Sequence, residues 1–452
     1  MDEFITTEES AELINESKKY TFFPWSKQGT VKPELIEKAE GVYFYTATGK
    51  RFLDFASMLV NMNIGHGNQR VTKAVVKQME KLAFVCPALF TTKVRGEVGR
   101  KIAEITPGDL NKTFFTLGGA EAVENAMKIA RWFTGKQKIL TQYRSYHGAT
   151  HGAIAAGGDP RNQAVYQNLM PNIIHFEGPF PYRCPWGSKT EEEGKDLALQ
   201  HLERIIQFEG PNTIAAIILE GESGTSGCVN FPKGYWKGVK ALAEKYNILT
   251  IADEVMSGFG RTGKWFGIEN HDVVPDLLVF AKGITAGYLP LGGVVASDKI
   301  SAYFDNNPLT TGLTHYGHPV CLAAASEVLD IYKDDKIIEN AREMGKYVES
   351  CVEALAKKHP SIGSFRNRGL LGCIELVKNR ENKDPMAPWN ATPAEMEIMN
   401  KVSAKIKECG VYAMVRWNWI FVAPPLIVTK QQIDEGLDAI SKGISVADEY
   451  CY

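Results

Sequence analysis

The chain has little of what marks a membrane, metal-binding or nucleic-acid-binding protein. Its 452 residues include eight cysteines, and no two of these have the Cys-x-x-Cys spacing of zinc or redox sites. The longest apolar runs, such as residues 214–219, are far shorter than the ~20 residues needed to span a bilayer. Lys and Arg number 51 against 53 acidic residues, so no basic excess favours a nucleic acid or an anionic membrane as partner.

The composition that is present is typical of a globular protein with a sizeable core. Hydrophobic residues make up 44% of the chain and charged residues 23%. The first residues are acidic and lack the basic-then-apolar order of a secretory signal, which predicts a cytoplasmic protein with reduced thiols. His147 and His151 have a spacing that metal ligands use, but no third ligand is nearby, so we expect no metal site.

The middle of the chain alternates short apolar runs with helical patterns. Residues 215–219 and 248–252 are apolar at nearly every position, as in strands buried on both faces. An amphipathic helix is predicted between them over 235–246, which gives a strand-helix-strand unit. Residues 277–281 predict a third strand and 292–297 a fourth. The pattern therefore favours an α/β protein with a mostly parallel sheet.

The chain ends have a different pattern. Residues 41–55 predict a short antiparallel hairpin that turns at Thr48 and Gly49. Two long amphipathic helices are predicted over 336–357 and 394–409, with a short β segment around 365–377. We therefore expect a small α+β domain, assembled from both chain ends, beside the large central α/β domain.

Two ionisable side chains follow neighbouring apolar strands. Asp253 ends the second predicted strand, and Lys282 follows the third, 29 residues later. Ligand sites of open α/β sheets lie beyond the carboxyl ends of the strands. An Asp at such a point could instead cap a turn, but a Lys is rarely buried without a partner or a function. The pair therefore favours a functional site.

Three glycine-rich segments bear on phosphate binding. Residues 258–263 match the dinucleotide pattern GxGxxG, but the helix that this fingerprint requires does not follow. Residues 258–264 match GxxxxGK, but Trp265 replaces the required Ser or Thr, so we reject both nucleotide sites. Residues 116–121 place two glycines before an amphipathic helix, which favours a phosphate at the positive helix end.

Together these segments resemble the class III, or ω-amino acid, pyridoxal-phosphate-dependent aminotransferases of fold type I. The resemblance covers nearly the whole chain. Its motifs, in the order of the family, are LDFASMLVNMNIGHG, LGGAEAVENAMKIAR, YRSYHGAT, ILEGES, ADEVMSGFGRTGKW, PDLLVFAKGI, GLTHYGHP and VAPPLIVT. It implies an enzyme that uses pyridoxal phosphate and transfers an amino group to a 2-oxo acid by a ping-pong mechanism.

The family's functional residues carry over onto matching positions. Lys282 matches the lysine that binds the cofactor covalently and later moves a proton between substrate and cofactor. Asp253 matches the aspartate whose charge keeps the pyridine nitrogen protonated. Thr314 matches the threonine that reaches the phosphate of the neighbouring subunit, which implies a homodimer with shared sites and leaves higher oligomers open. The other matched cofactor-binding positions are Gly119 and Ala120 at the phosphate, Tyr146 and Val255 on the ring faces, and His147 and Glu220 beside them.

The resemblance also suggests the domain boundaries. Residues 1–60 are expected to contribute to the small domain and to the substrate entry. Residues 61–328 are expected to form the large cofactor-binding domain, and residues 329–452 the rest of the small domain.

Departures from the family pattern bear on the substrate. Thr225 stands where members that swing an arginine aside often have a glutamate. Phe421 stands where some members have an arginine that binds an α-carboxylate, so Arg416 is expected to bind an anionic substrate group instead. A solvated loop arginine is the alternative interpretation of Arg416. Val60 replaces a tryptophan of amine-selective relatives, which disfavours bulky aromatic amines.

The N-terminal segment 20–26 resembles that of taurine aminotransferases, which suggests that Trp25 lines the substrate entry. Taurine carries a sulfonate that stays ionised at physiological pH, and a permanently charged arginine suits it. We therefore predict transfer from taurine to 2-oxoglutarate, giving sulfoacetaldehyde and glutamate. The alternatives are a 4-aminobutyrate or β-alanine aminotransferase with 2-oxoglutarate or pyruvate, a glutamate-1-semialdehyde-type aminomutase, and a non-catalytic scaffold. Intact Lys282 and Asp253 argue against the scaffold.

Overall fold

A computed structural model describes residues 4–163 and 169–452. The helices are α1 (Thr7–Tyr20), α2 (Ser57–Val60), α3 (Gln69–Lys81), α4 (Lys93–Ala103), α5 (Gly119–Thr134), α6 (His151–Ala156), α7 (Glu191–Glu209), α8 (Tyr235–Lys245), α9 (Asp298–Asn306), α10 (Pro319–Asp334), α11 (Ile337–Lys358), α12 (Glu397–Glu408) and α13 (Lys430–Asp448). The strands are β1 (Ile36–Glu40), β2 (Tyr43–Thr46), β3 (Arg51–Asp54), β4 (Leu110–Thr116), β5 (Lys138–Gln142), β6 (Ile173–Phe176), β7 (Ile214–Glu220), β8 (Leu249–Asp253), β9 (Leu277–Phe280), β10 (Gly292–Ser297), β11 (Ile362–Arg368), β12 (Leu371–Asn379), β13 (Asp384–Pro385), β14 (Val411–Tyr412), β15 (Val415–Arg416) and β16 (Trp419–Val422). No helix within these ranges is long and apolar enough to cross a bilayer.

A seven-stranded sheet forms the centre, in the order β4-β10-β9-β8-β7-β5-β6. The strands from β9 to β6 in that order are parallel, and β10 is antiparallel to both of its neighbours. Strands β7 to β10 and helix α8 form where the apolar runs and the helical pattern predicted them. Every residue of β7 and β8 is buried, because helices cover both faces of the sheet. The predicted α/β class with a mostly parallel sheet is confirmed.

Helix α5 covers one face of this sheet. Its apolar stripe, which includes Val123, Ala126 and Met127, is buried against Ile218 of β7 and Val279 of β9. Small residues in the stripe let the helix axis approach the sheet closely. This packing fixes the position of the helix N-terminus at the carboxyl ends of the parallel strands.

A second sheet joins the two ends of the chain, in the order β1-β2-β3-β14. The predicted hairpin is formed by β2 and β3, which pair Tyr43 with Leu53, and Gly49 in its turn has a positive φ of 88°. Strand β14 pairs in parallel with β3, through Val411 and Leu53. A third sheet has the order β11-β12-β16-β15, with β13 paired to β12.

Arg261, inside the glycine-rich segment that resembled a nucleotide motif, holds separate parts of the chain together. Its side chain is fully buried and donates hydrogen bonds to Ser57 Oγ, at 3.0 Å, and to Asn63 Oδ1, at 2.7 Å. It also donates to the carbonyl oxygens of Leu370 and Pro424. Burial lowers the pKa of Arg261 to about 10. This segment is therefore a structural turn.

Candidate active site

A cavity of about 990 Å³ opens at the carboxyl ends of the parallel strands. Glu220 ends β7, Asp253 ends β8, and Lys282 comes two residues after β9, so the parallel sheet brings three ionisable groups to one edge. All the residues predicted to bind cofactor or substrate line this cavity, except one. They are Trp25, Val60, Gly119, Ala120, Tyr146, His147, Glu220, Asp253, Val255, Lys282 and Arg416.

The exception is Thr314, which lies outside the cavity on an exposed segment between α9 and α10. A residue that reaches the site of another subunit need not line the cavity of its own chain. The expected contact across a dimer therefore stays a prediction.

The N-terminus of α5 points its free N–H groups at the cavity. Gly118, the residue before the helix, has no side chain to cap it, and a Cβ built there would meet no atom within 4 Å. A Cβ on Gly119 would lie 2.9 Å from the Val255 side chain, so these two residues pack closely only because residue 119 is glycine. An open, uncapped helix end is a site for an anionic group such as a phosphate.

Asp253 is held in place by two contacts. Its Oδ2 lies 2.7 Å from His147 Nδ1, and its Oδ1 accepts a hydrogen bond from Val255 N–H at 3.0 Å. Both Asp253 and His147 are buried. The carboxylate therefore has a fixed orientation within the cavity, where it can stabilise a positive charge on a bound group.

The amine of Lys282 loses its proton more readily than that of an ordinary lysine. Burial lowers the pKa of Lys282 to about 8, although the negative charges of Asp253 and Glu220 oppose the shift. Burial also raises the pKa of Glu220 to about 7. The backbone of Lys282 is left-handed, with a φ of 46°, which is strained for a residue with a side chain and is often found at functional sites.

Pyridoxal phosphate fits these residues. The open end of α5 suits its phosphate, the carboxylate of Asp253 suits its ring nitrogen, and the amine of Lys282 suits its aldehyde. When bound, this cofactor supplies an aldehyde that captures amines and a ring that accepts electrons. The chain supplies the charge, the amine and the fixed positions.

Two residues that the sequence did not identify lie on one side of the site: Arg161 lines the cavity, and Asp159 is buried beside it. Arg161 donates from Nε to Asp159 Oδ1 at 2.8 Å, and Arg416 donates from Nη2 to Asp159 Oδ2 at 2.6 Å. The Arg161 guanidinium also lies 3.8 Å from the ring centre of Tyr146 and 6.0 Å from that of Trp25. Two guanidinium groups are thereby brought to one side of the cavity.

The two histidines considered as metal ligands have separate environments. His147 is buried against Asp253, whereas His151 is exposed at the start of α6. Within the described ranges there is no group of three or more His, Cys, Asp or Glu side chains that could hold a metal ion.

The lowered pKa of Lys282 leads to a pH prediction for cofactor uptake. Because the neutral amine is the nucleophile, the uptake rate should rise about tenfold per pH unit up to pH 8 and then level off. The test mixes cofactor-free protein with pyridoxal phosphate from pH 6 to pH 10 and follows absorbance. A primary amine in solution, measured in parallel, corrects for titration of the aldehyde itself. A tenfold rise between pH 9 and pH 10 would contradict the prediction.

Comparison with known proteins indicates one family, whose members are named for different substrates. Residues 26–444 match the family described as Aminotransferase class-III. The structure is similar to that of the taurine:2-oxoglutarate aminotransferase from Bifidobacterium kashiwanohense, in complex with PLP and glutamate. The TM-score is 0.94 and the identity 37%, over 97% of this chain and 98% of that one.

Two sequence relatives are named for other substrates. The chain is 34% identical to gamma aminobutyrate transaminase 3, chloroplastic, of Solanum lycopersicum, over 90% of this chain and 79% of that protein. It is 32% identical to the putrescine–pyruvate aminotransferase of Pseudomonas aeruginosa, over 89% of this chain and 88% of that protein. The relatives therefore share a reaction class and differ in the donor of the amino group.

Proposed function

The chain belongs to the class III aminotransferases, a pyridoxal-phosphate-dependent family, and on that premise we propose that it moves the amino group of taurine to 2-oxoglutarate. The products are sulfoacetaldehyde and glutamate. Taurine leaves as the aldehyde before the oxo acid enters, so the mechanism is ping-pong. The observation that carries the proposal is the pair of arginines, Arg161 and Arg416, that line the same cavity as Lys282.

The anion site suits a sulfonate. Taurine's sulfonate is always ionised, and guanidinium groups stay charged and donate several hydrogen bonds in one plane. Burial lowers the pKa of Arg416, and the negative charge of Asp159 opposes this shift. The side chain remains cationic at neutral pH, because arginine is not deprotonated in proteins. The aromatic rings of Tyr146 and Trp25 lie beside Arg161, with their centres 3.8 Å and 6.0 Å from its guanidinium group.

A donor with its amine at Lys282 and its anion at Arg161 lies within one cavity, because both residues line it.

4-Aminobutyrate and β-alanine are the competing donors, because a carboxylate also pairs with arginine. The similarity to a gamma aminobutyrate transaminase supports the first of these. Putrescine has a second cation in place of the anion, and the two arginines would repel it.

The homodimer with Thr314 at the partner's phosphate and the cytoplasmic location stay predictions.

The donor is identified by single half-reactions. The cofactor-loaded protein receives taurine, 4-aminobutyrate, β-alanine, putrescine or propylamine alone, without acceptor, while the absorbance of the cofactor is followed. We expect the highest ratio of rate to half-saturating concentration for taurine. A faster reaction with 4-aminobutyrate than with taurine would contradict the choice of donor and leave the class of reaction intact.

Arg161→Ala connects the donor preference to the anion site. It should weaken taurine binding by about 1.5–3 kcal/mol, or roughly 10- to 150-fold, through loss of a charge-assisted hydrogen bond. The reaction with propylamine, which has no anion, should change little. Arg204→Ala is the matched control, because that arginine is exposed and packs on Phe208 in α7. Equal losses for taurine and propylamine would place the sulfonate elsewhere.

A further inference from the structure

Asp159 is a buried carboxylate placed between the two arginines of the proposed anion site. Only 2% of its surface is exposed. Its Oδ1 accepts hydrogen bonds from Arg161 N at 2.9 Å and from Arg161 Nε at 2.8 Å. Its Oδ2 accepts from Arg161 Nη2 at 3.1 Å and from Arg416 Nη2 at 2.6 Å. Four donors therefore use the capacity of both oxygens.

This carboxylate is ionised when the protein is empty of substrate. Burial opposes the charge, but the hydrogen bonds from Arg161 and the charge of Arg416 outweigh it and hold the pKa of Asp159 below its usual value. The three side chains thus carry two positive charges and one negative charge, a net charge of +1. A single negative charge on a substrate makes the group neutral.

We propose that Asp159 determines the specificity of the anion site by cancelling one of its two guanidinium charges, so that singly charged anions bind better than doubly charged ones. The inference rests on the proposed function, since it takes Arg161 and Arg416 as the groups that bind the substrate's anion. A sulfonate carries one negative charge, which cancels the net positive charge of the three side chains. A phosphonate dianion of the same shape would bring a second charge close to the buried carboxylate, where repulsion is weakly screened.

The same geometry explains why the selection acts on charge rather than on size. Arg416 lies against the ring of Trp417 at 4.1 Å, and Arg161 lies against Tyr146 at 3.8 Å. These rings and Asp159 hold both guanidinium groups in place from the sides. Tetrahedral anions of equal shape therefore meet the same donors and differ in charge alone.

The test uses two ligands that have no amino group, propane-1-sulfonate and propane-1-phosphonate, as competitors of the best donor. At pH 9.5 the sulfonate is a monoanion and the phosphonate almost entirely a dianion. We expect the cofactor-loaded protein to bind the sulfonate about 10-fold more tightly. Asp159→Asn keeps the shape of the side chain and removes its charge, and it should bring this ratio to about one or below.

Two further measurements separate charge from structure. Asp159→Glu keeps the charge, so it should keep the preference for the sulfonate even if both ligands bind more weakly. In the unmodified protein, lowering the pH to 6.5 protonates the phosphonate and should bring its inhibition constant toward that of the sulfonate, measured at the same pH. Asp305→Asn, which changes an exposed carboxylate paired with Lys112, should leave the ratio unaltered.

The outcomes distinguish the inference from the proposed function. If neither ligand competes with the donor in the unmodified protein, both the anion site and the inference are wrong. If both compete but Asp159→Asn and the change of pH leave their ratio unaltered, the inference alone is overturned. A ratio that depends on pH in the unmodified protein supports the selection even if Asp159→Asn does not fold.

Discussion

Lys282→Ala is expected to reduce transamination at least ~10³-fold, the largest effect of any single substitution in the cavity. The variant loses the amine that captures the cofactor's aldehyde and then carries the proton in the reaction. The pKa of the Lys282 amine, about 8, suits both tasks, because the amine is partly neutral near physiological pH and is still a base. Steady-state formation of glutamate from 2-oxoglutarate and the best donor measures the loss.

Retained folding and a matched control show whether this loss is chemical. The variant should still retain pyridoxal phosphate after gel filtration, though more weakly, because the open end of α5 and the Asp253 carboxylate are unchanged. Added methylamine should restore part of the activity in proportion to its concentration. Lys299→Ala, at an exposed lysine in α9, should be fully active. Turnover of the Lys282 variant at the unmodified rate would refute its role.

The sequence predicted the central layer because its signals are local. A strand buried on both faces shows as a short apolar run, and β7, β8, β9 and β10 each coincide with one. The direction of β10 was not predictable in this way, because an antiparallel strand buried on both faces has the same composition as a parallel one. The pairing of β14 with β3 was also hidden, since it joins Val411 to Leu53 across most of the chain.

The part of the site at the strand ends was predictable for a related reason. A charged residue directly after an apolar run stands out in the sequence, and parallel strands bring such residues to one edge. The anion site carries no such signal. Asp159 and Arg161 follow α6, and Asp159 meets Arg416 only through folding, since the two are 257 residues apart. Nothing in a loop arginine distinguishes it from a solvated one before the fold is known.

Backbone conformation was the other hidden feature of the site. Val60 and Lys282 both have positive φ values, of 57° and 46°. Glycine would adopt these angles without strain, so a composition-based argument would not place either residue there. Lys282 adopts this backbone two residues after β9, and its side chain lines the cavity.

Asp253→Asn is the second substitution with a large expected effect. The amide has nearly the same shape, but it lacks the negative charge that keeps a bound ring nitrogen protonated. We expect kcat to fall roughly 10²- to 10³-fold, as for the removal of one preorganised electrostatic contact. The apparent affinity for the donor should change much less, because the anion site is untouched. Single-turnover measurements at saturating donor separate the two quantities.

Asp276→Asn is the matched control for that prediction. Asp276 is also a partly buried carboxylate, next to the same sheet, and it accepts hydrogen bonds from Thr250 N at 2.8 Å and from Lys240 Nζ at 2.9 Å. It precedes β9, however, and so lies at the opposite edge of the sheet from Asp253, which ends β8. The Asp276→Asn variant should have a lower melting temperature than the unmodified protein and nearly the same kcat. A kcat for Asp253→Asn equal to that of Asp276→Asn would mean that the strand-end carboxylate serves the fold and not the cofactor.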